Sequence, residues 1–365
     1  MIDINEIKDK RIAVLLSGGV DSSVVVYELA RMGLKPDCFY IKIGPEEQEE
    51  WDCTSEEDLE MATAVAGRFG CRLQVIDCHR EYWDQVTRYT MEKVKAGYTP
   101  NPDVMCNRLI KFGAFDEKMG HNYDLIATGH YAQTEIIDGR KWLCTSPDPV
   151  KDQTDFLAQI YDWQLRKALF PIGHYEKDEV RQIAEREHLV NARRRDSQGI
   201  CFLGQIDYNE YIRRYLGENP GDVIEWETGK RIGAHRGLWF HTIGQRKGLG
   251  IGGRRESLFI LATDTAQNVI YVGEGDAHPG LWRPALHIAP GEIHWVNPAR
   301  ALSPGQSARF SVRIRYRQPL QDATLFMRDQ GAYILFDQPQ RGITPGQFAA
   351  WYDGDELVGS GVISE

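Results

Sequence analysis

No run in this chain approaches the roughly 20 consecutive apolar residues that a membrane helix requires, although 42% of its 365 residues are apolar. The opening MIDINEIKDKRIAVLL carries acids and only a very short apolar stretch, so it does not read as a signal peptide, and a cytoplasmic location is expected. There is no CxxC pair, and the seven cysteines are odd in number. That pattern suits neither a disulfide framework nor a four-thiolate zinc site, and most cysteines are expected as reduced thiols. Cys38, Cys71, Cys78 and Cys144 read as small buried hydrophobes. Internal repeats and low-complexity tracts are also missing.

Positive charge is in deficit, with a net charge of -10, which on its face argues against a nucleic-acid partner because phosphate neutralisation supplies much of such affinity. The deficit is local. Residues 46–60, EEQEEWDCTSEEDLE, hold nine acids and no Lys or Arg, and without them the net charge is only -1. The run itself reads as a solvated loop entering a helix.

At between about 100 and 200 residues per domain, two or three domains are expected. RIAVLL (11–16) is an apolar run that ends in Ser-Gly-Gly and is followed by VDSSVVVYELARMG with helical spacing and a terminal Gly. CFYIKI (38–43), LQVID (73–77) and YDLIATG (123–129) read as further buried strands, separated by helical patterns at 57–69 and 80–96. Strands alternating with helices predict an α/β, doubly wound parallel sheet. Beyond about residue 205 the texture changes to short alternating strands broken by Gly and Pro. The expected division is 1–204 as a nucleotide-binding domain, 205–280 as a mostly β central domain, and 281–365 as a small β-barrel-like domain.

Ser17-Gly18-Gly19-Val20-Asp21-Ser22-Ser23 lies where the first strand hands over to the first helix. Backbone N–H groups and the positive helix end converge there on an anion. The glycines let the backbone approach a phosphate, while Ser17, Ser22 and Ser23 offer hydroxyl donors. The loop lacks the lysine of GxxxxGK[ST] and the spacing of GxGxxG. It resembles instead the PP-loop of the ATP-pyrophosphatases, which implies cleavage of ATP between its α- and β-phosphates, with magnesium near Asp21. Ile41 and Gly129 fall at the C-terminal ends of strands, where ligands of doubly wound sheets bind.

Two cysteines stand apart from the rest. Cys106 lies in Thr-Pro-Asn-Pro-Asp-Val-Met-Cys-Asn (99–107), ahead of a helical pattern, and a thiol at a helix N-terminus is expected to have a lowered pKa. Asp103 beside it is either a general acid or base or a helix cap. Cys201 follows the basic stretch Arg193-Arg194-Arg195 and lies between glycines, a setting that favours a thiolate or persulfide.

SGGVDSS, TPNPD-x-x-CN, ATGHY, KDQ (151–153), DSQGICF and GQRKGLGIGG, in this order, resemble the tRNA-specific 2-thiouridylase family. The resemblance implies adenylation of the wobble uridine 2-oxygen and attack on C2 by a persulfide carried on Cys201. Cys106 is then the second catalytic thiol, and a Cys106–Cys201 disulfide closes the turnover. It implies ATP contacts at Leu15, Leu16, Ser17, Gly18, Gly19, Val20, Asp21, Ser22, Ile41 and Gly129. Target-base contacts fall on Asn101, Pro102 and Asp103, and tRNA contacts on His130, Lys151, Asp152, Gln153, Arg315, Tyr316 and Gln347. The implied partners are the tRNAs for Lys, Glu and Gln and a persulfide donor or relay fed by a cysteine desulfurase. An iron–sulfur cluster on Asp103, Cys106 and Cys201 is the alternative to the persulfide.

Phe310, Val312, Ile314 and Tyr316 alternate with Ser311, Arg313, Arg315 and Arg317, so a strand with one apolar face and one face of three guanidiniums is expected. A PP-loop enzyme acting on a small metabolite would need neither both thiols nor this arginine face. A non-catalytic RNA-binding protein would not need an intact SGGVDSS.

Overall fold

The computed structural model describes residues 3–43, 53–195 and 208–364. Cys201 lies outside the described residues. Among the described residues no helix is long and apolar enough to cross a membrane.

Strand β1 (Ile12–Leu15) is buried throughout, as a central parallel strand must be, and it feeds the helix Val20–Arg31. β2 (Asp37–Lys42), the helix Cys53–Arg68 and β3 (Leu73–Asp77) follow, and then a helical stretch over His79–Lys95. β4 (Leu125–Ala127) comes next. After it a hairpin, β5 (Gln133–Ile137) and β6 (Arg140–Cys144), leaves the sheet before β7 (Ala168–Leu169) completes it. All pairings in this five-stranded sheet are parallel, in the order β3-β2-β1-β4-β7. Chain order reverses at β1. The crevice beyond the C-terminal ends of β1 and β4 is therefore the binding position of such a sheet, and both SGGVDSS and Gly129 lie there.

A four-stranded sheet follows from β8 (Gly221–Glu225), β9 (Arg231–His235), β10 (Leu258–Asp264) and β11 (Val269–Glu274). The remaining strands are β12 (Trp282–Trp295), β13 (Ser307–Arg313), β14 (Gln321–Arg328), β15 (Gly331–Arg341), β16 (Phe348–Asp353) and β17 (Glu356–Ile363). They run in the order β12-β15-β14-β13-β16-β17, and β12 also pairs with β17, closing an antiparallel barrel of six strands. Closure removes the exposed edges.

The barrel is joined to the parallel-sheet half. One core cluster contains Ala13, Leu15 and Phe39 together with Val296, Ala350, Tyr352 and Leu357. Hairpin strand β6 pairs with β17 at Cys144 and Glu356, so the hairpin extends the barrel sheet.

The expected arginine face is corrected here. β13 ends at Arg313, and the chain beyond it turns, with Arg317 at a φ of +63°. Arg313 is buried, whereas Arg315 and Arg317 are exposed, so the three guanidiniums do not share a face. Period-2 alternation describes side chains only while the strand lasts.

Candidate active site

Gly18 has a φ of +79°, and a Cβ on it would sit 2.2 Å from the Asp58 carbonyl oxygen, so both conformation and space require glycine. Gly19 caps the helix Val20–Arg31 with backbone alone, which leaves its first N–H groups free of any side-chain cap. Gly129 lies against the same turn, since a Cβ there would approach the Ser22 nitrogen to 3.0 Å.

The hydroxyls play a different part from the one expected. Ser22 Oγ and Ser23 Oγ donate to the Gly19 carbonyl at 3.1 and 2.9 Å, and both side chains are buried. Ser17 Oγ is 3.2 Å from Ser22 Oγ and exposed at the mouth. Ser23 therefore shapes the turn and does not line it.

Two residues that no motif announced, Lys177 and Asn191, hold this loop together with Tyr131 of ATGHY. Lys177, at the start of the helix Lys177–Arg186, places Nζ 2.6 Å from Asp21 Oδ1, and Tyr131 donates its hydroxyl to the same oxygen at 2.9 Å. Asn191 donates through Nδ2 to the Gly18 carbonyl at 2.6 Å and to Ser23 Oγ at 2.8 Å. Arg194 pairs with Asp58 at 2.5 Å and with Glu57 at 3.5 Å. The expected solvated run is thereby corrected in part. Its C-terminal acids sit against the phosphate loop, and burial raises the pKa of Asp58 even though Arg194 beside it opposes the shift.

Asp21 is a carboxylate 31% exposed, with Oδ1 taken by Lys177 and Tyr131, and among the described residues no group of three or more metal-ligating side chains is assembled, so a magnesium ion here would draw most of its ligands from phosphate oxygens and water.

Cys106 is also corrected. The Asn-Pro dipeptide starts the helix four residues earlier: Asn101 Oδ1 accepts from the Asp103 and Val104 nitrogens, and Pro102 occupies the first turn. Asn101 is thus the cap, not Asp103. Cys106 ends that turn and continues into the π-helical stretch Asn107–Ala114. A second π-helical stretch, Trp83–Thr87, faces it, and Cys106 packs with Cys78, Tyr82, Val86, Ile110 and Ala114. Burial pushes the Cys106 thiol up to about 12, with Lys111 opposing and Asp103 adding to the shift. The resting group is a protonated thiol. Ile41 packs against the same cluster, which places Cys106 beside the strand ends that flank the loop.

Among the expected tRNA contacts, His130 and Asp152 do not face solvent. His130 is 7% exposed, pairs with Thr128 Oγ1 at 2.7 Å, and is kept neutral by burial. Asp152 is 2% exposed and receives Arg313 Nη1 at 2.9 Å and the Thr154 hydroxyl. Gln153 fixes the Tyr131 backbone, donating from its nitrogen at 2.9 Å and accepting on Oε1 at 3.1 Å. Lys151, half-buried, adjoins Tyr316, whose ring lies 4.7 Å from that of Phe156.

The barrel reaches back to the helix carrying Cys106. Gln347 Nε2 donates to the Thr99 carbonyl at 2.7 Å, and the Thr99 nitrogen donates to the Pro345 carbonyl at 2.9 Å. On the barrel an open cleft of about 550 Å³ is lined by Trp282, Arg315, Tyr316, Arg317 and Arg341, among others. Partial burial and the like charge of Arg341 lower the pKa of Arg315, whose Nη2 donates to the Arg341 and Gly342 carbonyls.

Three family models match the chain. They are described as a tRNA methyl transferase HUP domain (residues 10–205), a tRNA methyl transferase PRC-barrel domain (209–274) and an aminomethyltransferase beta-barrel domain (287–363). A tRNA-specific 2-thiouridylase MnmA 1 of Bacteroides thetaiotaomicron is 50% identical over 97% of this chain and 99% of its own length. The tRNA-specific 2-thiouridylase MnmA of Parabacteroides distasonis is 48% identical over 96% and 98%. That of Pseudomonas aeruginosa is 44% identical over 97% and 94%. With the phosphate loop and Cys106 set at one end of the parallel sheet, this chain belongs to the tRNA-specific 2-thiouridylase family.

Proposed function

We propose that the chain replaces the 2-oxygen of the wobble uridine of tRNA with sulfur, in two chemical stages. In the first, the uridine oxygen attacks the α-phosphate of ATP, expelling pyrophosphate and leaving the 2-oxygen adenylated, so that C2 carries an AMP leaving group. The expelled group belongs over the N–H groups of Gly19, whose bond to Ser17 Oγ is long at 3.4 Å, and Val20, and Asp21 would help hold magnesium, which neutralises phosphate charge when bound. In the second, the terminal sulfur of a persulfide on Cys201 attacks C2, and AMP leaves with the former carbonyl oxygen. Cys106 then attacks Cys201 Sγ, forming a Cys106–Cys201 disulfide and releasing 2-thiouridine. The two electrons come from the protein sulfurs, and an external thiol reductant must restore them.

A uracil oxygen leaves poorly and AMP leaves well, which is why adenylation comes first. Burial holds Cys106 as a thiol in the packed state, so this reading requires its thiolate to form when tRNA engages the helix end at Asn101–Asp103. Arg315, Tyr316 and Lys151 are assigned to the RNA backbone beside the barrel cleft. The substrates are assigned as the tRNAs for Lys, Glu and Gln, and the sulfur source as a persulfide donor or relay fed by a cysteine desulfurase.

The observation that carries this reading is the geometry of the phosphate loop, with Gly18 left-handed and the helix end uncapped, in a chain half identical to tRNA-specific 2-thiouridylases. The test is nucleoside analysis of tRNA after incubation with ATP, magnesium and a persulfide donor. The native chain should yield 2-thiouridine, AMP and pyrophosphate, and Cys106→Ser and Cys201→Ser should yield none. Full product from both variants overturns the sulfur chemistry.

A further inference from the structure

Asn191 belongs to no recognised motif, is 3% exposed, and lies against the phosphate loop at a separation of more than 160 residues in the chain. Its amide orientation follows from its partners. The Gly18 carbonyl can only accept, and the single Ser23 hydroxyl proton is given to the Gly19 carbonyl at 2.9 Å, so Ser23 Oγ also accepts. Both positions require the NH₂ of Asn191.

That contact fixes a peptide plane. In a trans peptide the carbonyl of one residue and the N–H of the next point in opposite directions. With the Gly18 oxygen drawn inward to Asn191 at 2.6 Å, the Gly19 N–H is turned the other way, toward the exposed Ser17 hydroxyl. Its bond to Ser17 Oγ is long, at 3.4 Å, and a phosphate oxygen would replace it readily. The left-handed φ of Gly18 permits this orientation but does not enforce it, because glycine populates both halves of the map. A second donor, Arg194 Nη1, reaches the same carbonyl only at 3.5 Å.

We propose that Asn191 is a positioning residue for adenylation, holding the Gly18–Gly19 peptide so that its N–H faces the pyrophosphate of ATP. The inference rests on the nucleotide-binding reading given above, and its test separates the two.

Magnesium–ATP, pyrophosphate, adenosine and unmodified tRNA are titrated by calorimetry into the native chain, Asn191→Ala and Asn191→Gln. Asn191→Ala should bind ATP and pyrophosphate at least tenfold more weakly and bind adenosine and tRNA within twofold of native. Asn191→Gln keeps the amide on a longer arm and should recover part of the phosphate affinity. A general loss of packing would weaken all four ligands alike, and that result overturns the proposal, as does native pyrophosphate affinity in Asn191→Ala. If Asn191→Ala does not fold, the comparison of pyrophosphate with adenosine is made on Asn191→Gln, where a threefold or greater selective loss supports the role and equal affinities reject it. Failure of the native chain to bind either ATP or pyrophosphate would instead reject the nucleotide-binding reading itself.

Discussion

Replacing Arg313 with Met tests how the barrel is fastened to the parallel-sheet half. The Arg313 and Asp152 side chains are 5% and 2% exposed, and their ion pair joins β13 to the segment between the hairpin and β7. Removing one partner of a buried pair costs about 3–5 kcal/mol, because an uncompensated charge remains. Asp152 keeps its bonds from the Ser146 and Thr154 nitrogens and the Thr154 hydroxyl, so the lower end, about 3 kcal/mol, is expected. Against a typical total of about 5–15 kcal/mol, that is a large fraction. Urea unfolding followed by tryptophan fluorescence should show a lower midpoint for Arg313→Met. The double variant Asp152→Asn/Arg313→Met should recover more than half of the loss, since Asp152 no longer carries a charge and the remaining carboxylate, Asp155, lies farther from the guanidinium at 3.9 Å. If Arg313→Met loses less than about 1 kcal/mol, or the double variant is worse than the single, the pair does not carry the connection.

Gly18→Ala combines a left-handed φ, worth about 1–2 kcal/mol for a residue with a Cβ, with a contact on the Asp58 carbonyl. Equilibrium dialysis should show magnesium–ATP affinity falling by more than tenfold, and unchanged affinity would contradict the loop geometry. Cys106 should resist iodoacetamide at pH 8 while half-buried Cys71 reacts, as read by peptide mass spectrometry; equal rates would mean that the thiol is open. Asp155 has a pKa raised to about 7, mainly by burial and despite the nearby Arg313. Its folded form therefore binds a proton more tightly than the unfolded chain does, and the resulting stability is full below about pH 4 and lost as pH rises through about 7. Thermal melts of Asp155→Asn should lose that slope, and an unchanged profile would assign the slope to another group.

Much of this architecture could be read in advance. β1 to β4 announce themselves as apolar runs, and the glycines after β1 mark the anion site because the backbone there must come close to a ligand. What escaped reading depends on distant partners. Lys177 and Asn191 act on Asp21 and Gly18 across more than 150 residues, and neither has a local pattern that distinguishes it from a helix cap or a loop amide. The burial of Cys106 was legible in principle. Asn101-Pro102 is a cap followed by a first-turn proline, and that signal starts the helix before the thiol, not at it. The arginine alternation misled because nothing in the alternation itself says where the strand stops.

The hairpin Gln133–Cys144 has a practical consequence. It grows out of the nucleotide-binding half, yet its strand β6 hydrogen-bonds to the last strand of the chain, β17. A chain cut ahead of the barrel would remove the β17 partner of Cys144 at the end of β6 and would bare Leu15, Phe39 and Leu143, which share a core with Val296, Ala350, Tyr352 and Leu357, and such an apolar patch invites aggregation. The two halves should thus resist separation, and a catalytic half transplanted without its barrel should fail in solubility before it fails in chemistry.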